Sequence, residues 1–226
     1  MAGRQVLGSF WERVVQPQVF SMLLARYGST EVVNRSRRAV DKIANGQCLF
    51  MRRDAYDAVG GHAAVRGKVA EDVALAQLCF ERGKRTELIV GIEQLSTRMY
   101  TSLGEITRGW MKNIYAGGID AAPGGAVGRA FLPLLLLAAP VMMLAPPLTL
   151  VAAALGLVGG GVVLWATIAT AVMLVWWAVV YAGFMRFSPV YALAFPLGAA
   201  VLIYIIIRAV ARGRRVDWKG REYRAE

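Results

Sequence analysis

A stretch of 56 residues without a formal charge, from Ala130 to Met185, constrains this chain more than any other feature of its sequence. One helical membrane crossing needs roughly 20 apolar residues, so the stretch is long enough for two crossings. A further apolar run follows the single charge of Arg186. We therefore expect a helical membrane region over 129–207, with about three apolar segments at about 131–155, 162–184 and 190–207.

The expected position of both chain ends on one side of the membrane conflicts with three crossings. Four prolines in the first segment (positions 133, 140, 146 and 147) predict an irregular helix, a re-entrant segment or a short hairpin. The tail, residues 208–226, is strongly basic, and the positive-inside rule places it in the cytoplasm together with the polar part, residues 1–128. An even number of crossings is therefore expected, and the first segment would either cross incompletely or cross twice.

The formal net charge of +11 is best explained by Lys and Arg beside a cell membrane, facing anionic lipid. The sequence has no basic stripe interleaved with aromatic residues, so nucleic acid is not an expected partner. The two cysteines, Cys48 and Cys79, lie far apart without CxxC spacing. They predict neither a zinc site nor a disulfide framework.

The polar part has the pattern of a short α/β arrangement, and its first helix has one apolar face that suits either a protein core or, less simply, a bilayer surface. The predicted elements are a helix over 9–27, a polar loop over 29–45, a strand over 47–51, a helix over 52–59 that stops at paired glycines, a helix over 71–82, a strand over 86–90 and a helix over 98–115. This succession is too short for a whole domain.

The order of short motifs resembles the second half of a family 2 glycosyltransferase. The segment ANGQCLFMRRDAYDAVGGH (44–62) contains the small-residue-rich strand, the R-R-x-A helix and the Gly-Gly turn of that family, and Glu71-Asp72 then opens the next helix. The segments at 97–113 and 218–223 are similar to the membrane-bound branch that acts on lipid-like acceptors, including carotenoid- and hopanoid-associated enzymes. The resemblance spans about residues 40–226 and implies a partial α/β domain of the GT-A type.

The resemblance also implies an inverting transfer of a sugar from a nucleotide-sugar donor to a hydroxylated, lipid-like acceptor. Such a transfer needs one carboxylate that removes the acceptor's proton. In the family this base is the Asp of the Glu-Asp pair, here Asp72, and Glu71 would orient the base or the acceptor. The plainer alternative is that both acids only complement the helix dipole, as acidic residues do in many first turns.

Three more residues are candidates for binding substrate. Arg98 resembles the Arg of the family's Q-x-x-R-W motif, which holds donor diphosphate or acceptor, although Leu95 and Met99 replace the Gln and the Trp; the alternative is an ordinary surface arginine. Trp110 would stack on a sugar or isoprenoid face, or pack in the core. His62 would bind a substrate hydroxyl, or serve only in the glycine turn.

The resemblance lacks the family's N-terminal nucleotide-binding half, whose DxD motif holds a divalent cation, Mg²⁺ or Mn²⁺. We therefore expect the metal ligands outside this chain, because the nearest spaced acids, Asp54 and Asp57, have the pattern of solvated charges on a helix. The missing half would reflect truncation, a misassigned start or a separately encoded polypeptide, and residues 1–226 alone would not turn over a nucleotide sugar. The alternative function is a catalytically silent membrane remnant or an accessory subunit.

Overall fold

The structure, a computed structural model, describes residues 1–120, 122, 124–213, 215–218 and 221–224, and within these residues the chain is mostly helical. The α-helices, in chain order, are α1 (Phe10–Tyr27), α2 (Thr30–Arg35), α3 (Arg53–Ala58), α4 (Glu71–Glu81), α5 (Leu103–Asp120), α6 (Gly125–Ala154), α7 (Gly161–Val179) and α8 (Phe195–Arg212). The strands are β1 (Arg4–Gln5), β2 (Ser96–Thr97), β3 (Arg215–Trp218) and β4 (Arg221–Arg224). Shorter turns of helix lie at Ala39–Asp41, Gly61–Val65, Val180–Phe184 and Pro189–Ala194.

The prediction of a partial α/β domain of the GT-A type over residues 1–128 is wrong. In the described part of this region the only ladder joins β1 to β2 in parallel, with Arg4 opposite Ser96 and Gln5 opposite Thr97. Both predicted strands lie within the described residues, and neither 47–51 nor 86–90 is a strand. In the second of these, Val90 forms only an isolated parallel bridge to Ala2.

The predicted strand over 47–51 is absent because its backbone groups form hydrogen bonds that belong to no ladder. The Gln47 N–H donates to the side chain of Asn45, and the Cys48 N–H donates to the Asn45 carbonyl. The Cys48 carbonyl accepts from the amino group of Met1. Buried backbone groups need hydrogen-bond partners, but these need not belong to a sheet. A short apolar run is compatible with a strand and with an irregular segment.

The helix predictions in the polar part are more accurate than the strand predictions, because a helix forms its backbone hydrogen bonds within its own segment. α1, α3 and α4 lie where the sequence predicts them, whereas α5 begins at Leu103, five residues after the expected start. The predicted loop over 29–45 contains the short helix α2, which the Ser29 side chain caps by accepting from the Val32 N–H.

α1 packs in the protein core, which decides the choice between a core and a bilayer surface. Ser9 and Glu12 form a capping box at its start. Its valines are fully buried in a cluster with residues of α5 and α8. The buried members of this cluster are Val14, Val15, Val19, Ile106, Trp110, Ile114, Leu202, Ile205 and Ile206.

Among the described residues, three helices are long and apolar enough to cross a membrane, as the sequence predicts. They are Gly125–Ala154, Gly161–Phe184 and Pro189–Arg212, and they indicate that the protein associates with a membrane. α6 continues through all four of its prolines, so the first segment is a single helix and not a short hairpin. Prolines are tolerated in apolar helices where neighbouring groups satisfy the freed carbonyls.

The basic tail is described only in part. β3 pairs with β4 in an antiparallel ladder, with Arg215 opposite Arg224. Arg214, Lys219 and Gly220, as well as residues 225–226, lie outside the described residues, so the cytoplasmic position of the tail stays a prediction.

Candidate functional site

The Asp72 carboxylate is fixed at the beginning of α4 by two backbone donors. Its Oδ1 atom accepts from the N–H of Val73 at 2.9 Å, and its Oδ2 atom accepts from the N–H of Gly46 at 2.6 Å. The second bond joins residues 26 positions apart, so the loop that contains Gly46 is held against the helix. These bonds fix the orientation of a half-buried carboxylate that still reaches solvent.

A cavity of about 370 Å³ opens at this carboxylate, and it brings together Glu71, Asp72 and His62, three of the residues predicted from the sequence. The full lining consists of Gly46, Leu49, Met51, Arg53, Tyr56, His62, Glu71 and Asp72. A second cavity, of about 270 Å³, shares Leu49 and Met51 with it and extends along α4. The arrangement offers one oriented carboxylate, one imidazole and one guanidinium around a space open to solvent.

His62 is held in this cavity by Tyr56. The Tyr56 hydroxyl lies 2.8 Å from the His62 Nδ1 atom and also accepts from the His62 backbone N–H at 3.0 Å. A side chain of α3 therefore fixes the imidazole, which lies in the helical turn that follows. Because Nδ1 is taken up by Tyr56, a substrate hydroxyl would meet Nε2.

Arg98 is not among the residues that line the cavity, and it contacts the beginning of α1 instead. Its Nε and Nη2 atoms donate to the two carboxylate oxygens of Glu12, at 3.0 and 2.7 Å. The Glu12 side chain is fully buried, whereas that of Arg98 is 44 % exposed. The Arg98 guanidinium and the N–H groups of Gly8 and Ser9 lower the pKa of Glu12 to about 2, against the effect of burial.

Trp110 also lies away from the cavity, in the core between α1 and α5. Its ring is 6.3 Å from that of Phe20 and 6.1 Å from that of Tyr100, both with edge-to-face geometry. These contacts are those of the core alternative, and a stacking role toward a substrate stays a prediction.

The pair formed by Glu12 and Arg98 predicts a pH dependence of stability. Glu12 titrates at 4.5 when unperturbed and at about 2 in the folded chain, so its contribution is complete above pH 4.5 and is lost as the pH falls toward 2. We expect Glu12→Gln to lower the free energy of unfolding by about 2 kcal/mol, less than for a fully buried pair because Arg98 is half exposed. Thermal unfolding in detergent between pH 3 and 7 measures both effects.

The exposed pair of Glu31 and Arg35 on α2 is the matched control. Glu31→Gln should change the free energy of unfolding by less than about 0.5 kcal/mol. If Glu12→Gln and Glu31→Gln lowered the free energy of unfolding equally at neutral pH, the Glu12 pair would stabilise the fold no more than an exposed ion pair does.

Sequence reasoning missed Gly46 and Tyr56 as supports of the site. Both fall within the segment 44–62, but their partners, Asp72 and His62, are defined only by the folded loop. Gly46 lies 26 positions from Asp72, so no local sequence pattern marks it, and only the fold shows that a Cβ there would lie 3.1 Å from Asp72 Oδ2.

The expected divalent cation does not fit the residues of this cavity. Within the described residues, no three His, Cys, Asp or Glu side chains are grouped as metal ligands. Asp72 is engaged by two backbone donors, and His62 by Tyr56. No chemical step is therefore assigned to a metal at this site, and ligands elsewhere stay a prediction.

Most of the chain matches the model of a known protein family. The family model of glycosyl transferase family 21 matches residues 27–226, a range that includes the cavity, α5 and all three apolar helices. No curated protein and no solved structure matches this chain.

Proposed function

The chain belongs to glycosyl transferase family 21, and we propose that it transfers a sugar from a nucleotide-sugar donor to a hydroxylated, lipid-like acceptor, with inversion. A transferase of this kind has a sugar donor and an acceptor. The main support for an inverting transfer is the Asp72 carboxylate. Two backbone N–H groups hold it at a cavity that Glu71 and His62 also line. The match to family 21 does not extend to family 2, nor to carotenoid- or hopanoid-associated enzymes.

In the proposed mechanism Asp72 is the general base. The acceptor hydroxyl oxygen forms a bond to the anomeric carbon, its proton passes to Asp72, and the nucleoside diphosphate leaves with the electrons of the broken bond. Because both Asp72 oxygens already accept a backbone N–H, the carboxylate is oriented before substrate binds. Glu71 and His62 are proposed to orient the acceptor from the same cavity.

We also propose Arg98 and Trp110 as substrate contacts, although both lie away from the cavity at Asp72. None of the described hydrogen bonds engages the Arg98 Nη1 atom, because Glu12 takes Nε and Nη2. A diphosphate oxygen would therefore meet Nη1. Trp110 would reach a sugar or isoprenoid only after its packing against Phe20 and Tyr100 changes.

The lipid-like acceptor is supported by the three apolar helices that follow the cavity in the same chain. A hydroxylated lipid would reach Asp72 from the bilayer surface without leaving the membrane entirely. We propose that the protein is integral to the cell membrane with its cavity and tail in the cytoplasm, since both ends of the chain are basic. A separately encoded half that binds the nucleotide is one of the three alternatives given above, and its copurification from native membranes would support it.

The function is tested in native membranes, where any partner is present. Cells that lack the chain are complemented with the wild type or with Asp72→Asn, and transfer from radiolabelled nucleotide sugars to the lipid extract is measured. Label in the lipid extract that depends on the chain supports the proposal. Absence of chain-dependent transfer from every donor, with the protein present in the membrane, would favour a catalytically silent membrane protein or an accessory subunit.

Gly46 gives a test of how the base is positioned. A Cβ at this residue would lie 3.1 Å from Asp72 Oδ2 and would push the carboxylate by a few tenths of an ångström. We expect Gly46→Ala to lower the rate of transfer about tenfold, because small displacements of a reacting group are costly. Gly67→Ala is the control, since nothing lies within 4 Å of the added methyl group; equal rates for the two variants would contradict the positioning role.

A further inference from the structure

The relative directions of the three apolar helices limit the number of membrane crossings. α6 and α7 are joined by residues 155–160 and pack on each other along their lengths. They therefore form an antiparallel hairpin. Successive helices that cross a membrane must alternate in direction, so a crossing α8 would run antiparallel to α7.

α8 runs antiparallel to α6 instead. Met143 of α6 packs against the cluster that contains Trp177, Tyr181, Ala192 and Phe195, next to the first residue of α8. Leu136 and Leu137, nearer the beginning of α6, pack against the cluster that contains Leu202, Ile205 and Ile206, further along α8. Earlier residues of α6 therefore contact later residues of α8, so these two helices are antiparallel. Because α7 is also antiparallel to α6, α7 and α8 run in the same direction. Consistent with this, α8 has no extended contact with α7 among the described residues.

Helices of the polar part cover a face of α8 that lipid would contact if α8 crossed the membrane. α8 packs on α1 and α5 as well as on α6. The Gln18 side chain of α1 donates to the Phe195 carbonyl at 2.8 Å. Seven residues of α8 are buried, compared with Ala166 and Trp177 alone in α7.

Charged groups lie at the beginning of α8 and along the helices that flank it. The Arg13 guanidinium donates to the Tyr191 hydroxyl at 2.8 Å and lies 5.0 Å from the centre of the Phe187 ring. α5 exposes Glu105 and Arg108 close to its contacts with α8. A crossing α8 would carry these charges into the hydrocarbon, where ionised side chains are costly and rare.

We propose that only the α6–α7 hairpin crosses the lipid bilayer, twice, while α8 is held by α1, α5 and α6 and does not cross. The exposed faces of α6 and α7 are apolar and large, as lipid contact requires. The exposed stripe of α8 contains Leu197, Tyr204 and Ile207 and ends at the basic side chain of Arg208. Two crossings place the polar part and the basic tail on one side, which agrees with their shared positive charge.

The proposal is tested by single-cysteine labelling of the full chain in membrane vesicles of both orientations. Cys48→Ser and Cys79→Ala first remove the native thiols. Exposed reporter positions in the polar part, in the α6–α7 loop, before α8 and near its end then receive one cysteine each: Arg37→Cys, Leu157→Cys, Ser188→Cys and Ala211→Cys. An impermeant maleimide is added before or after detergent.

We expect the reporters at 37, 188 and 211 to be labelled from one side and the reporter at 157 from the other. Labelling of 188 and 211 from opposite sides would show that α8 crosses and would overturn the proposal. Labelling of all four from one side would overturn it as well. Reporter enzymes fused to the two ends of the chain give a second measurement: both in one compartment supports two crossings, and different compartments exclude it.

Discussion

Asp72→Asn is expected to lower the rate of sugar transfer by about 10²–10⁴-fold, the usual contribution of a positioned general base. Asparagine has nearly the same size, and its side-chain oxygen can still accept from the Gly46 N–H that now binds Oδ2. It cannot take up the acceptor's proton. The fold should therefore persist while the chemical step slows, and initial rates at saturating donor measure the loss.

Asp54→Asn is the control for this variant. Asp54 is also an acidic residue near the start of a helix, but its exposed carboxylate pairs with Arg52. We expect its rate of transfer to match that of the wild type. Equal activity of Asp72→Asn and wild type would leave Asp72 as a partner of the helix dipole and of Gly46 only.

The helices were predictable because their signals are local. Pairs such as Ser9 and Glu12 mark a helix start within three residues, and the apolar runs of α6 to α8 need only composition to be identified. Strands need partners far along the chain. The runs 47–51 and 86–90 have the right residues for strands, yet the described chain provides only β1 and β2 as a ladder in the polar part.

The candidate site was predictable in part for the same reason. Glu71 and Asp72 open a helix with clear boundaries, and His62 follows a glycine turn that the sequence also predicts. The contact between Arg98 and Glu12 joins residues 86 positions apart. No spacing rule connects them, so the sequence offers Arg98 as a phosphate contact and does not indicate Glu12 as its partner.

The direction of α8 shows a different limit of sequence reasoning. Hydropathy gives α8 the same signal as α6 and α7, although α8 is the helix that α1 and α5 cover. An apolar helix surrounded by lipid and one surrounded by protein satisfy the same composition. Composition alone does not distinguish them, whereas the packing does, and at Gly198 the backbone of α1 lies too close for a Cβ.

Gly198→Ala is expected to lower the free energy of unfolding by about 3 kcal/mol, at the upper end for overpacking in a core. A Cβ at this position would lie 2.5 Å from the Val14 carbonyl oxygen and 2.7 Å from Gln18 Nε2. The first of these is backbone in the middle of α1, so it cannot rotate away, and α1 must separate from α8. A drop of roughly 6–12 °C in the thermal midpoint in detergent is the corresponding measurement.

The separation should also expose α1, since its buried face is shared with α8. Limited proteolysis should then cut within Phe10–Tyr27 in the variant and not in the wild type. Gly183→Ala is the matched control, because it too lies in a helical turn of the apolar region and nothing is within 4 Å of the added methyl group. If Gly198→Ala and Gly183→Ala melted at the same temperature, α1 and α8 would not be in contact, and the packing that keeps α8 from crossing the bilayer would be absent.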